Sequence, residues 1–410
     1  MKYGFVGPYG SANLGDYAIL INNLFEFQDD EIVIFSYNTE FPKRQIEHYF
    51  DNKKIQYVFI EDIKDIENYL KIDEVNFEYL EKIAEDFPKI RDIVNSIDVL
   101  IISGGGWLNN FWFERKEKAY KLLLPIIWAK KLCKRIEFTS NGIGPFDGFE
   151  SFFKSFFNNI DTKVRVRDLY SFSLISETRE GIEKNVEHVP DDLLLPCEEI
   201  NAHNSSLKKP FDKYIVMELF LPIEQLRAIE EDIKSFALEM ENLYGLQVVL
   251  LPFDLVWFGE DQAKLCNNII FGSKYIDISN KRFQSVEDVL FLIKNAQFVI
   301  SSRYHGLVLS LSVKTPVIHI LKEEKLKSYH EIKGKCAIKW CFNKNGFVCD
   351  DVYDVFLKNG LKNSLECLKN NYNDIRDTQL KLYDSESYKL NIKEAKKIRE
   401  KMIKDIKTHD

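Results

Sequence analysis

Short apolar runs of β type alternate with helical stretches along most of the chain. Runs at Tyr3 to Val6, Ile32 to Phe35, Gln56 to Ile60, Val99 to Ile102, Ile136 to Thr139, Val164 to Val166 and Val186 to Val189 are each followed by turn residues or a helical pattern. Strands buried on both faces read as unbroken apolar runs, so the alternation predicts a parallel sheet covered by helices. A polar break from Glu198 to Pro210 interrupts it. The pattern restarts at Tyr214 to Met217, Gln247 to Leu251, Tyr275 to Ile278, Phe298 to Ile300 and Val317 to Ile320. Helical patterns fill the intervals, among them Pro222 to Leu243, with Pro222 at a first-turn position. The expected fold class is α/β: two doubly wound halves at 1–197 and 213–349, a linker at 198–212 and a helical tail at 350–410. Two such halves joined by a linker imply a cleft between them. In the tail, Leu390 to Ile406 places Ile392, Ala395, Ile398, Met402 and Ile406 on one helical side, which suits packing on a neighbouring domain or contact with a lipid surface.

Size and composition narrow the class. A chain of 410 residues suits two domains, and 45% apolar residues argue for a globular protein. A net charge of -8 gives no support to nucleic-acid binding. The seven cysteines are odd in number and form no C-x-x-C pair, which indicates neither a disulfide framework nor a zinc site and fits a reducing cytoplasm. The start runs straight into a strand pattern, and no apolar run approaches the length of a membrane span. The expectation is a cytoplasmic protein, with contact at the inner face of a membrane as an option for the tail.

Candidate chemistry gathers at strand ends, where open α/β sheets bind ligands. Ser301-Ser302-Arg303-Tyr304-His305-Gly306 follows a short apolar strand and precedes the helical run Leu307 to Val313. A guanidinium there offers a planar fork to phosphate or carboxylate, a His two residues on can move protons near neutral pH, and Gly306 lets a ligand approach the backbone. The first strand leads into Gly7 to Asp16, a Gly-rich turn with Asn13, Gly15 and Asp16, in which Asp16 either caps the following helix or takes part in chemistry. Ser103-Gly104-Gly105-Gly106 and Asn141-Gly142-Ile143-Gly144 make two further glycine-lined turns. Arg167-Asp168 follows the strand at Val164, and its two readings are a second cation for a dianionic substrate and a helix-capping pair. Pro190-Asp191-Asp192 is an ordinary turn or a carboxylate source. His188, His203, His319, His330 and His409 show no metal-ligand spacing, so no metal is expected.

Together these elements resemble the polysaccharide pyruvyl transferase family. The resemblance runs from residue 1 to about residue 330. It is carried by Asn13-Leu14-Gly15-Asp16, Gly104 to Gly106, Gly142-Ile143-Gly144-Pro145, Arg167-Asp168 with Ser171, Leu251-Pro252-Phe253, and Ser302-Arg303-Tyr304-His305-Gly306 followed by Thr315-Pro316-Val317-Ile318. It implies a GT-B-like fold, two Rossmann-like domains facing a cleft, with the acceptor side on the first and the donor side on the second. It also implies transfer of pyruvate from phosphoenolpyruvate, the donor substrate, to a sugar as a ketal, with no cofactor. Arg303 and His305 would bind the donor and supply the acid, Asp16 or Asp168 the base, and Arg167, Asn13, Gly15, Gly104, Gly105, Gly106, Ser302, Gly306 and Lys325 would hold substrates. The acceptor is a polysaccharide or its precursor, lipid-linked or free, in service of the cell envelope. Tyr304 stands where the family usually has Leu, and no family-like Ser-Leu-Arg occurs in Val216-Met217-Glu218-Leu219. Two alternatives share the architecture: a sugar-nucleotide glycosyltransferase or epimerase, and a non-catalytic sugar-binding descendant.

Overall fold

The computed structural model describes residues 1–10, 13–50, 54–60, 77–114, 117–178, 185–253, 259–270, 273–275, 285–321, 327–343 and 350–408. Two compact units emerge: residues 1–12, 16–192 and 399–410 form the first, and residues 13–15 with 193–398 the second.

In the first unit the strands are β1 (Lys2–Val6), β2 (Glu31–Ser36), β3 (Ile55–Phe59), β4 (Val99–Ile102), β5 (Gly105–Leu108), β6 (Arg135–Phe138), β7 (Asn141–Ile143), β8 (Val164–Val166) and β9 (Val186–His188). They make two sheets, ordered β3-β2-β1-β4-β6 and β5-β7-β8-β9. Every pairing is parallel. Parallel sheets need helices on their faces, and the sequence supplies them: helix Glu150–Asn159 buries Phe152, Phe153, Phe156 and Phe157, with Phe153 stacked on Phe146 at 4.0 Å between ring centres. Each such ring contributes roughly 1.5–3 kcal/mol on leaving water.

The second unit has one sheet of β10 (Tyr214–Glu218), β11 (Gln247–Leu250), β12 (Lys274–Tyr275), β13 (Phe298–Ser301), β14 (Val317–Leu321) and β15 (Leu357–Asn359). Its order is β12-β11-β10-β13-β14-β15, again parallel. Strand order reverses between β10 and β13, as it does between β1 and β4 in the first unit. Just past each reversal the ladder gains one more bond: Ser302 N–H donates to the Glu218 carbonyl (3.1 Å), and Ser103 N–H to that of Val6 (3.1 Å). Reversal points at the carboxyl ends of strands are where open α/β sheets form ligand crevices.

Several expectations differ from what is observed. The glycine-lined segments at 103–106 and 141–144 are not simply turns, because Gly105–Leu108 and Asn141–Ile143 are strands that pair with each other. The helix expected over Pro222 to Leu243 is two, Ile223–Ala228 and Glu230–Tyr244, separated at Ile229 (φ -121°, ψ 26°). The remainder of the run Tyr275 to Ile278 lies outside the described residues. The boundary between units falls after Asp192 rather than at residue 197, and the polar stretch 198–212 belongs with the second unit. Two short 3₁₀ turns there bury Ile200 and Ala202, and the Ser205 hydroxyl donates to Asp288 (2.6 Å). Residues 350–398 likewise belong to the second unit. β15 extends its sheet, helix Leu361–Asp384 buries Leu361, Leu365, Leu368 and Tyr372 in its core, and the Gln379 amide bonds both the N–H (2.7 Å) and carbonyl (2.8 Å) of Val317.

Candidate active site

The Arg303 turn is built from the end of β13 upward. Arg303 has extended backbone (φ -101°, ψ 138°) and precedes helix Tyr304–Ser312, so His305 and Gly306 sit in that helix's first turn. His305 is 9% exposed. Gly306 is required by its neighbour: a Cβ there would stand 2.0 Å from the Ser301 hydroxyl oxygen. The space a side chain would take is thus filled by Ser301. Gly15 has the corresponding duty to the imidazole. A Cβ on residue 15 would lie 1.8 Å from His305 Nδ1, so the absence of a side chain at Gly15 makes room for the imidazole.

Glu218, at the end of β10, organises this turn. It is 2% exposed, and its Oε2 accepts from the Arg303 peptide N–H (3.0 Å) and the Ser301 hydroxyl (2.8 Å). Its Oε1 stands 3.6 Å from Arg303 Nε, and the guanidinium lies 3.8 Å from the centre of the Phe220 ring. Ser302 serves the same assembly, its hydroxyl accepting from the Phe220 N–H (2.5 Å). Register places Glu218 beside Ser301 and Ser301 beside His319, a polar row across three strands whose His319 is 2% exposed. Lys333, 7% exposed on helix Lys327–Phe342, lies with its ammonium 3.9 Å from the Tyr329 ring centre and 5.9 Å from that of Tyr304. Lys325 falls outside the described residues. Sequence reasoning gave no site role to Glu218 or His319 and did not single out Phe220 or Lys333. For Glu218 a signal existed, a carboxylate closing the apolar run Tyr214 to Met217, but only the strand pairing reveals what it faces.

Asn13 Oδ1 accepts from the Gly15 N–H (3.0 Å), making Asn13 rather than Asp16 the cap of helix Leu14–Glu26. In the same short segment Leu14 N–H donates to the Phe253 carbonyl (2.9 Å).

In the first unit, Asp16 is 7% exposed in the first turn of that helix, and a Cβ on Gly105 (φ +102°) would stand 3.2 Å from its Oδ1. Gly104 N–H donates to Thr139 Oγ1 (2.8 Å), and the Gly106 carbonyl accepts from Asn109 (2.6 Å), so both groups serve the fold. Arg167, 2% exposed, pairs with Asp191 at 2.8 Å and not with the adjacent Asp168. Asp168 instead caps helix Leu169–Thr178, its Oδ1 accepting from Ser171 N–H (2.8 Å) and Oγ (2.9 Å). Asp192 pairs with Arg399 and accepts from Asn23, so the Pro190-Asp191-Asp192 turn has both carboxylates engaged. Burial pushes the Asp192 carboxyl above the usual carboxylate range, while Arg399 and Asn23 pull it back. Among the described residues no group of three or more His, Cys, Asp or Glu side chains could hold a metal ion.

Comparison with known families decides the kinship: the sequence profile described as polysaccharide pyruvyl transferase matches residues 13–321. The chain belongs to the polysaccharide pyruvyl transferase family. The match takes in both turns described above and stops at the last residue of β14, so β15 and the two long helices after it lie beyond. Comparison with curated proteins gives no match. Among solved structures, the pyruvyl transferase family chain is similar to the UDP-GlcNAc 2-epimerase of Neisseria meningitidis bound to UDP-GlcNAc (TM-score 0.57, 11% identity, 99% of this chain and 100% of that one). It is similar also to Anabaena Alr3699/HepE in complex with UDP and glucose (TM-score 0.55, 10% identity, 100% of both chains). A third is the UDP-GlcNAc 2-epimerase of Methanocaldococcus jannaschii (TM-score 0.51, 15% identity, 91% of this chain and 100% of that one). At such identities the likeness is one of fold, and the pyruvyl transferase chain has the GT-B architecture of two Rossmann-like units.

Proposed function

We propose that this protein moves pyruvate from phosphoenolpyruvate onto a sugar of a polysaccharide or its precursor, forming a ketal. The observation that carries the reading is the family match across a turn in which Arg303 and His305 sit at a strand-order reversal. The donor has a phosphate and a carboxylate. Arg303 binds one by charge-assisted bonds, the first-turn N–H groups of helix Tyr304–Ser312 favour anions, and Lys333 adds positive charge near the turn. Arg167, buried and paired with Asp191, is better suited to holding that loop than to binding donor.

His305 protonates the enol methylene, leaving an oxocarbenium-like centre at the adjacent carbon. A sugar hydroxyl attacks that carbon and loses its proton to a base. The bond from carbon to the phosphate oxygen then breaks, inorganic phosphate departs with the electron pair, and a second sugar hydroxyl closes the ketal, its proton restoring the acid form of His305. Asp16 is the base we favour, because Asp168 has no exposed surface and is committed to its helix cap.

The test is phosphate release from phosphoenolpyruvate in the presence of EDTA, with a panel of methyl hexosides as acceptors. His305→Gln should lower kcat by about 10²- to 10⁴-fold while calorimetric donor affinity stays within about threefold. Arg303→Lys should weaken donor affinity by about tenfold or more, since an ammonium cannot copy the fork. Near-normal turnover in His305→Gln would remove the acid assignment. Consumption of UDP-GlcNAc in place of phosphoenolpyruvate would overturn the reading altogether.

A further inference from the structure

We propose that Glu218 is a positioning residue for Arg303, fixing both the backbone of its turn and the root of its guanidinium so that the cation is presented to the donor in one orientation. The inference rests on Arg303 as a donor-binding group, and it adds a residue outside the Ser302 to Gly306 motif. Buried carboxylates are costly unless paired and hydrogen-bonded. The partners of Glu218 described above, the Arg303 peptide N–H, the Ser301 hydroxyl and the Arg303 guanidinium, all belong to the one turn. The connection runs the other way as well, because the Glu218 carbonyl accepts from Ser302 N–H.

Phe220 completes the support. Two residues beyond Glu218, its ring lies under the guanidinium, with Arg303 Cζ 3.8 Å from the ring centre. Its own N–H is held by the Ser302 hydroxyl. Arg303 is therefore hydrogen-bonded at its peptide, ion-paired at Nε across 3.6 Å and placed over the Phe220 ring by the end of one neighbouring strand. A long cation held in this way loses less conformational freedom when a ligand arrives, which raises affinity without any new contact to the ligand. Glu218 itself touches neither donor nor acceptor in this account.

The experiment uses full-length protein with ¹⁵N-labelled arginine, the Arg303 Nε–H signal being assigned by its loss in Arg303→Lys. In wild type that proton should exchange with solvent at least about threefold more slowly than in Glu218→Gln. Calorimetric titration with phosphoenolpyruvate should show Kd raised at least about tenfold in Glu218→Gln, yet changed less than about twofold when the same substitution is made on Arg303→Lys. A merely structural role would lower the unfolding temperature and leave both contrasts absent. Equal exchange in wild type and Glu218→Gln, or an undiminished affinity loss on the Arg303→Lys background, overturns the proposal. Should Glu218→Gln fail to fold, Phe220→Leu removes the planar support without touching a buried charge, and unchanged exchange and Kd in that variant overturn it equally. A wild-type protein that ignores phosphoenolpyruvate while keeping the exchange contrast sinks the donor reading and leaves the positioning role standing.

Discussion

His305 occupies its place because residue 15 has no side chain. Alanine in a helix is ordinarily about 0.8–1.0 kcal/mol better than glycine, so Gly15→Ala should help the helix and harm only the imidazole, which must move to admit a Cβ now 1.8 Å away. We expect kcat to fall by about 10²-fold, the scale of an ångström-sized misplacement, with donor Kd and unfolding temperature little changed. Unaltered kcat in that variant would mean that the position of the ring is immaterial. The placement of Arg303 and His305 between an apolar strand and a helix was legible in sequence. The duties of Gly15 and Gly306 were not. A missing side chain is visible in sequence, but what fills the vacated space depends on residues hundreds of positions away, or on a serine whose direction only the strand fixes. Asp16 and Asn13 show the same limit at closer range: either could cap the helix, and the bond from Gly15 N–H goes to Asn13.

At the scale of elements, strands rich in Val, Ile, Leu and Phe declared themselves, while β5 and β7 did not. Gly105-Gly106 and Asn141-Gly142 are poor β formers and read as turns. They are strands only because each finds the other, Gly105 opposite Asn141 and Leu108 opposite Ile143. The final helix, Glu386–Lys407, was read correctly as having an apolar side, and Ala395, Met402, Ile403 and Ile406 are buried. Its decisive residue is nonetheless a cation. Arg399 lies within the first unit against Asp192, Asn23 and Glu26. Arg399→Met leaves a buried carboxylate without its counter-charge and should cost about 3–5 kcal/mol, whereas Lys397→Met on the exposed side should stay within about 0.5 kcal/mol. Asp192 is already raised by burial, and losing Arg399 raises it further. A carboxyl raised in the folded state stabilises below its unfolded pKa and loses that contribution as pH climbs through the folded one. The deficit of Arg399→Met, followed by scanning calorimetry, should therefore be smaller at pH 5 than at pH 8. A deficit independent of pH would assign it to lost packing.

On the scale of the whole molecule, two successive rounds of strand and helix were readable from the apolar pattern, and the fold class with them. Where one unit yields to the other was less so. The polar stretch after residue 197 looked like a linker because it has few apolar residues, yet Ile200 and Ala202 are enough to pin it to the second unit. Among the described residues no helix is long and apolar enough to cross a membrane. On the final helix Ala395, Met402, Ile403 and Ile406 are buried, while Leu390 is exposed.

The first unit is also discontinuous in the chain, and this has a bearing on how a ribosome must make it. Asp192 and Arg399 are 207 residues apart. At roughly 5–20 residues per second the carboxylate waits on the order of 10–40 s for its partner. Translation intermediates stalled before residue 399 should accordingly be cut by protease within residues 16–192 more readily than the released protein, and equal resistance would refute this. Until then the first-made half of the enzyme stays unfinished, a natural client for whatever shelters nascent chains, and the second half is complete before it.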